Sequence, residues 1–484
     1  MRNSNTKQTT QSVDLKRICF IIFLIYIICT TAFYFLVGEQ LHFRSSRGNI
    51  DLPVAEGGSI ELVQGSVVEQ TFSTKIQRLE TISVQWGAYS RPSSGTITME
   101  LIDARSGRIL IENQFDADTI AEGTILSMSA DQPIEGYYDS LLKLRIYADS
   151  VPGSGATPLM SNSTLEGQQL SFNGTAVTGT LCFSVSGQDY IWTGLHYWQF
   201  VAIGAVALTI FWGVVFHRYA KGKRSYVVNA LVAVKKYRFL IHQLVSRDFK
   251  TKYKRSILGV LWSFLNPLLT MLVQYFVFST IFKADIPNYP VYLLIGIVSF
   301  NFFSEACNMS LTSILGNASL ITKVYMPKYI YPLTRVMSST INLGVSLIPL
   351  FIVSLITNVH YQKSVVLAFY FLLCLIIFSL GMGLLLSSAM VFFRDTQFLW
   401  GVLSMIWMYA TPIFYPENIL PANFKFVLQI NPLYYFLKNT RMCILDGLSP
   451  EPSAYVGCLA IAMAMLLIGS AVFRKSQDRF VLFL

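Results

Sequence analysis

Long apolar runs dominate the chain. Eight of them, at 18–38, 192–216, 257–282, 291–315, 331–357, 365–393, 396–415 and 453–473, carry almost no charge. Each holds about 20 residues or more, and at about 1.5 Å per residue a helix of that length crosses the hydrocarbon of a bilayer. Between the first two runs the period changes. Residues 59–63, 67–72, 80–86, 124–128, 141–147 and 180–185 alternate polar and apolar positions. The strand at Gly95–Ile102, the turn ending in Gly107 and the strand at Arg108–Ile111 read as a hairpin. The pattern predicts a polytopic α-helical membrane protein of about eight transmembrane helices with an inserted all-β domain, a β-sandwich.

Composition agrees. The chain of 484 residues is 53% hydrophobic and 13% charged, about half the charge of an ordinary soluble domain. The seven cysteines require no disulfide framework, since five lie in apolar runs and only Cys182 and Cys443 look aqueous. Charge separates the chain into two compartments. Residues 38–195 carry a net −9, and the rest a net +19. Basic loops stay in the cytoplasm whereas large domains cross largely regardless of charge. Twelve bases and one acid, Asp248, fall in 217–255. An even number of spans with basic loops inside places both termini in the cytoplasm and the acidic β-domain outside. The expected organisation is a tail and anchor at 1–38, a β-domain at 39–190 and a second span at 191–216. A basic linker with an amphipathic interface helix follows at 217–256, then a six-helix core at 257–484 with a re-entrant segment at 416–452.

In the linker, Tyr237, Ile241, Leu244, Val245 and Phe249 share a helical face, as expected of a helix lying in the head-group region. Arg247, Lys250, Lys252, Lys254 and Arg255 precede the third run, where they can meet an anionic head group. Trp400, Trp407 and Phe414 repeat every seven residues, and Tyr409, Tyr415, Tyr434 and Phe436 cluster nearby; such aromatics can line a sugar path or form an interfacial belt. Trp86, Tyr89, Tyr137 and Tyr138 are the aromatics of the β-domain to be weighed as a glycan surface or as core. Glu305 is the one acid within a run, with polar packing with Asn301, Ser304 or Asn308 across a subunit contact as its simplest use. The histidines are scattered singly, so neither a metal site nor a catalytic set is indicated. The phosphate-cradling GxxxxGK[ST] pattern does not occur, so energy must come from another subunit.

Several segments carry a resemblance. Arg247–Pro267, Asn317–Pro327, Phe393-Arg-Asp395, Thr411-Pro-Ile-Phe-Tyr-Pro416, Asn431-Pro-Leu433 and the ending Arg479-Phe-Val-Leu-Phe-Leu484 resemble, in order and spacing, the ABC-2-type permeases that export polysaccharides and polyol phosphates. The resemblance covers about 235–484 and implies two permease copies working with two ATPase subunits, which would bind ATP and Mg. No cofactor is then expected in this chain, and nucleic acid is not among the expected partners. It also implies a lipid-linked glycan as substrate and a coupling role for Asn317, Leu320, Ile321, Lys323, Val324, Met326 and Pro327, whose apolar members would fill a groove on the ATPase. Residues 1–220 are additional to the usual member. Gly65…Glu69-Gln-Thr-Phe72, Asp103-Ala-Arg-Ser-Gly107 and Tyr137-Tyr138 are similar to jelly-roll modules of bacterial surface-glycan proteins, with a spacer or assembly surface as the plainer use. Two rival functions stand beside glycan export. One is a membrane-anchored sensor or scaffold whose β-domain binds an extracellular ligand; the other is an ABC-2 exporter of a smaller lipid or drug.

Overall fold

The computed structural model describes residues 15–46, 50, 53, 55, 60–89, 92–162, 168–221, 226–253, 259, 261–281, 288–323, 326–359, 361–417 and 425–483. They form two units, Glu39–Tyr197 and a second made of Met1–Gly38 with Trp198–Leu484. The helices are α1 (Leu15–Val37), α2 (Trp192–Leu195), α3 (Tyr197–Ala220), α4 (Tyr226–Tyr253), α5 (Leu261–Tyr275), α6 (Tyr289–Leu311), α7 (Ala318–Lys323), α8 (Ile330–Ile356), α9 (Val365–Phe392), α10 (Thr396–Ala410), α11 (Lys425–Ile430), α12 (Pro432–Ile444), α13 (Pro452–Ser476) and α14 (Phe480–Phe483). The strands are β1 (Phe43–Ser46), β2 (Val67–Ser73), β3 (Arg78–Gly87), β4 (Thr96–Asp103), β5 (Ile109–Asp116), β6 (Thr124–Glu135), β7 (Leu141–Ala148), β8 (Thr157–Pro158), β9 (Met160–Ser161), β10 (Gln169–Phe172), β11 (Thr175–Val177), β12 (Thr180–Leu181) and β13 (Phe183–Tyr190).

The first unit is a two-sheet sandwich. One sheet runs β1-β13-β3-β6 with β8 on β3; the other runs β11-β10-β2-β7-β4-β5. All ladders are antiparallel. Alternation drives the closure, since every second residue of β2 and β7 is buried. Phe72, Trp86, Met99, Leu144 and Phe183 fill the space between the sheets. The hairpin at 95–111 is β4–β5. The alternation at 59–63 makes no strand among its described residues, because Leu62 and Gln64 bond to the isolated carbonyls of Ala156 and Ser150. The β10–β11 hairpin, absent from the sequence reading, turns on Asn173-Gly174, with φ of 48° and 77°. Asn-Gly is the favoured pair where both turn residues need positive φ. Cys182 is buried in this unit and Cys443 in the other, so neither is aqueous, and all seven cysteines are free.

In the second unit, seven described helices are long and apolar enough to cross a membrane. The run at 396–415 differs. It gives a helix of 15 residues, α10, and leaves the helix at Thr411, because a residue before proline is pushed into extended backbone and Pro412 has no N–H to donate. α1 and α3 pair through Tyr26, whose hydroxyl donates to the Val201 carbonyl at 2.8 Å. Gly204 makes room for that ring, since a Cβ there would stand 2.3 Å from its oxygen. α9 and α13 cross closer still: a Cβ on Gly469 would lie 2.0 Å from the Gly381 carbonyl oxygen. Small residues are the usual means by which membrane helices approach so nearly.

Candidate functional site

The amphipathic helix α4 packs an apolar face on protein. Ile241, Leu244 and Val245 are buried in one apolar cluster with Tyr331, Val391 and Phe480. One turn further along the same face sits Asp248, with its carboxylate 2.9 Å from Arg335 and 3.2 Å from Arg247. Arg247 also donates to the side chain of Asn317 at 3.4 Å. Lys252 reaches Glu305 at 2.9 Å, and Asn342 donates to the same carboxylate at 2.6 Å. Arg247, Asp248, Lys252, Glu305, Met309 and Arg335 line a cavity of about 690 Å³. A second cavity of about 70 Å³ shares Lys252 and Glu305 and continues between α5, α6 and α8.

Two of the expected basic residues, Arg247 and Lys252, therefore meet at a cavity. Lys250 is exposed and does not line it. Lys254 and Arg255 lie outside the described residues. Glu305 bonds to Lys252 and Asn342 instead of its helix neighbours, while Asn308 donates to Ser304. Asp248 and Arg335 were missed as site residues. Both left a signal: one is the lone acid among twelve bases, the other a charge inside an apolar run.

The 316–330 segment is shaped differently from the expected plug. Ile321 and Met326 are buried in this subunit's own cluster, while Leu320 packs against it half-buried. Asn317 is buried and donates to the Ser313 carbonyl at 2.8 Å. Ser319, Thr322 and Lys323 form the exposed face of α7, Pro327 is half-buried, and Val324 lies outside the described residues. Lys328 donates to the Gln477 carbonyl at 2.6 Å, and Phe480 packs against Phe392 and Phe473. Phe480 of the Arg479–Leu484 motif thus helps to close the cluster.

At the other end of the bundle, Thr411–Tyr415 is irregular backbone in an apolar setting, where every carbonyl needs a donor. Arg441, 7% exposed, supplies two: its guanidinium donates to Pro412 at 2.6 Å and Ile413 at 3.0 Å, and also to Tyr292 at 3.1 Å. Tyr289 caps Phe414 and Tyr292 caps Tyr415, at 2.6 and 2.9 Å. Asn431 caps α12, accepts from Trp407 at 2.7 Å and donates to Thr411 at 2.8 Å. The expected break at Asn431-Pro432 does separate two short helices, α11 and α12. Tyr434 and Lys438 share Glu417 at a cavity of about 430 Å³, where burial raises the Asp446 carboxyl above its ordinary value.

Most of the aromatic stripe is core. Trp400 and Trp407 pack on Phe303, while Phe436 packs on Phe378. Phe414 is buried and stacks on Phe278. Tyr409 is exposed, and Tyr415 is half-buried with its hydroxyl donating to the Tyr409 carbonyl. Of the four β-domain aromatics, Trp86 is fully buried and Tyr137 packs against the core, while Tyr89 and Tyr138 present open faces. On the outer face of the six-stranded sheet, Glu69 accepts from Arg145 at 3.0 Å and Lys143 at 3.3 Å. Burial alone raises the Glu69 carboxyl, but these two bases outweigh it and hold the group below its ordinary value.

The ABC-2 type transporter family matches residues 240–445, which holds both ends of the bundle just described. An O-antigen export system permease protein RfbA of Klebsiella pneumoniae is 31% identical over 247 residues, covering 50% of this chain and 93% of that protein. The protein of the same name in Myxococcus xanthus is 28% identical over 50% of this chain and 95% of its own length. The polysialic acid transport protein KpsM of Escherichia coli is 23% identical over 49% of this chain and 93% of its own. Because one relative above 30% identity is matched over nearly its whole length, the chain belongs to the ABC-2 type transporter family.

Proposed function

We propose that this chain is the permease subunit of an ATP-driven exporter that moves a lipid-linked polysaccharide outward across a bacterial cytoplasmic membrane. The observation that carries the reading is the cavity lined by Arg247, Lys252 and Arg335 where α4 meets the bundle. It lies in the half of the chain that is similar to export permeases of O-antigen and polysialic acid. Bases at a membrane surface attract anionic head groups by about 1 kcal/mol each, and a diphosphate-linked glycan carries such a head. Two permease copies act with two ATPase subunits that bind ATP and Mg. The exposed Ser319, Thr322 and Lys323 of α7 offer the ATPase its contact. Both termini face the cytoplasm, and the jelly-roll-like β-domain lies outside, where Tyr89 and Tyr138 are the open aromatic faces for a glycan or a partner protein.

The test is complementation. A strain lacking this gene should lose one surface polysaccharide and regain it with the wild-type chain. Lys252→Ala with Arg247→Ala should restore less polymer at normal membrane abundance. If the strain without the gene displays the same polymers as its parent, the reading is wrong.

A further inference from the structure

The β-sandwich has two unlike ends. β1 begins and β13 finishes at the same one, where Phe43 pairs with Tyr190. The two connectors stay together beyond that pair: Ile191 donates to the His42 carbonyl at 2.8 Å, and a Cβ on Gly194 would strike the Leu41 carbonyl. α1 ends at Val37, six residues before Phe43, and α3 starts at Tyr197, seven after Tyr190. Six residues of extended chain reach about 20 Å at most. This end of the domain is therefore tethered twice, close to the bilayer that α1 and α3 are long and apolar enough to cross. The strand registers bring three turns to the same end: 74–77 before β3, 104–108 between β4 and β5, and 136–140 between β6 and β7.

These turns carry what a lipid surface attracts. Tyr138, 53% exposed, stands at the tip of a turn that is held in place: Ser140 donates to the Tyr137 carbonyl at 3.1 Å, and Asp139, at φ 53°, donates to that of Thr74 at 2.8 Å. Leu141 and Ile109, 40% and 46% exposed, flank Ile102 on the outward face of β7, β4 and β5, and none of the three belongs to the core cluster. The exposed bases Lys75, Arg105 and Arg108 stand in the same turns. Three acids nearby are engaged inside the domain, Glu135 with Arg78, Asp189 with the Gln77 N–H and Asp103 with the Ser106 hydroxyl, while Asp139 is exposed. The opposite end has the reverse sign: Glu61, Asp116, Asp118, Glu122 and Asp149 stand at its turns, and no base does among the described residues. Isolated apolar side chains on a surface are ordinary. Here an aromatic, two aliphatics and three bases share the one end that the chain itself holds at the membrane, and that is the composition by which interfacial segments enter a head-group layer.

We infer that this end of the β-domain docks on the bilayer, with Tyr138, Leu141 and Ile109 at the level of the head groups and Lys75, Arg105 and Arg108 on anionic phospholipids. The double tether acts on whichever side of the membrane the domain lies, so the inference does not rest on the export reading. A two-fold partner seated on the same end would bring each base against its own copy, whereas lipid phosphates neutralise it. Residues 38–195 carry a net −9, so the domain as a whole is repelled by an anionic surface and approaches it only by the end that holds the bases. Of the two open aromatic faces, Tyr138 then meets lipid, and Tyr89, at the acidic end, stays available to a glycan or a partner.

Photo-crosslinking of the full chain in its own membrane separates the possible occupants. The photoreactive p-benzoylphenylalanine takes the place of Tyr138, Leu141 or Asp118 in turn, the cells are illuminated, and adducts at each site are identified by mass spectrometry. Positions 138 and 141 should carry phospholipid at least about tenfold more often than position 118, which is exposed at the acidic end. Adducts at 138 and 141 with a second copy, with another segment of this chain or with another protein would overturn the inference. So would an absence of lipid adducts at both positions, or equal yields at all three. The purified full chain in nanodiscs tests the charge. Exchanging phosphatidylglycerol for phosphatidylcholine should lower the lipid adduct at position 138 about threefold or more. Lys75→Gln with Arg105→Gln and Arg108→Gln should do the same in phosphatidylglycerol. Yields indifferent to both changes would refute recognition of anionic lipid.

Discussion

Replacing Arg441 with Met should destabilise the bundle by about 2–4 kcal/mol, and the hydrogen bonds at Thr411–Tyr415 show why. Of the three carbonyls that receive Arg441, Tyr292 belongs to α6 and has a ladder donor. Pro412 keeps the Tyr292 hydroxyl at 3.3 Å. Only Ile413 is left with no other side-chain donor within reach. An orphaned buried carbonyl costs about 1–3 kcal/mol. The guanidinium also lies 3.4 Å from the centre of the Tyr292 ring, a contact worth about 2 kcal/mol when dry. Releasing a buried cation from desolvation returns part of this, which is why the total is no larger. Lys can reach one carbonyl but lacks the fork, so Arg441→Lys should fall between Met and wild type. Reversible unfolding of the full chain in mixed micelles gives the differences directly. A Met variant within about 0.5 kcal/mol of wild type, the usual scatter of neutral substitutions, would show that the carbonyls of the break are satisfied in another way.

Three further outcomes follow from other parts of the molecule. Gly469→Val should lower the thermal midpoint of the purified chain far more than Gly457→Val, because a Cβ at Gly469 strikes the α9 backbone whereas one at Gly457 meets nothing within 4 Å. Trp86→Ala should destabilise the β-domain by about 3–5 kcal/mol while Tyr138→Ala stays within about 0.5 kcal/mol, measured by denaturation of the full chain followed by proteolysis at 39–197. The lowered Glu69 carboxyl stabilises the β-domain fully above its unfolded value near about 4.3, and that stabilisation is lost as pH falls toward and through the folded value. A fluorotryptophan resonance at Trp86 should therefore report acid unfolding that Glu69→Gln makes less steep; identical acid profiles would mean that Glu69 is not held by Arg145 and Lys143.

Span positions were legible because a bilayer asks one simple thing of a helix, about 20 apolar residues. The β4–β5 hairpin was legible because alternation and its turn are local. What escaped were meetings between distant residues. Asp248 and Arg335 are 87 positions apart and Arg441 and Ile413 are 28 apart, and no period within one helix reveals such partners. The Trp400–Trp407 spacing identified a shared face correctly, yet spacing does not say whether that face meets a lumen or Phe303. The same applies to Ile241 and Leu244, whose amphipathic pattern fits lipid and protein equally. The two-residue strands β8 and β9 are too short to alternate.

The apolar cluster behind α7 has a mechanical meaning. Close-packed interiors compress little and pass displacement onward. Because Ile321 and Met326 are seated in the same packed volume as Ile241, Tyr331, Val391 and Phe480, a push on the exposed side of α7 has no soft layer in which to dissipate. It moves α4 and the first two turns of α8 with it, and those two elements carry Asp248 and Arg335. In the proposed exporter the segment would act as a stiff rocker whose far arm is the wall of the basic cavity.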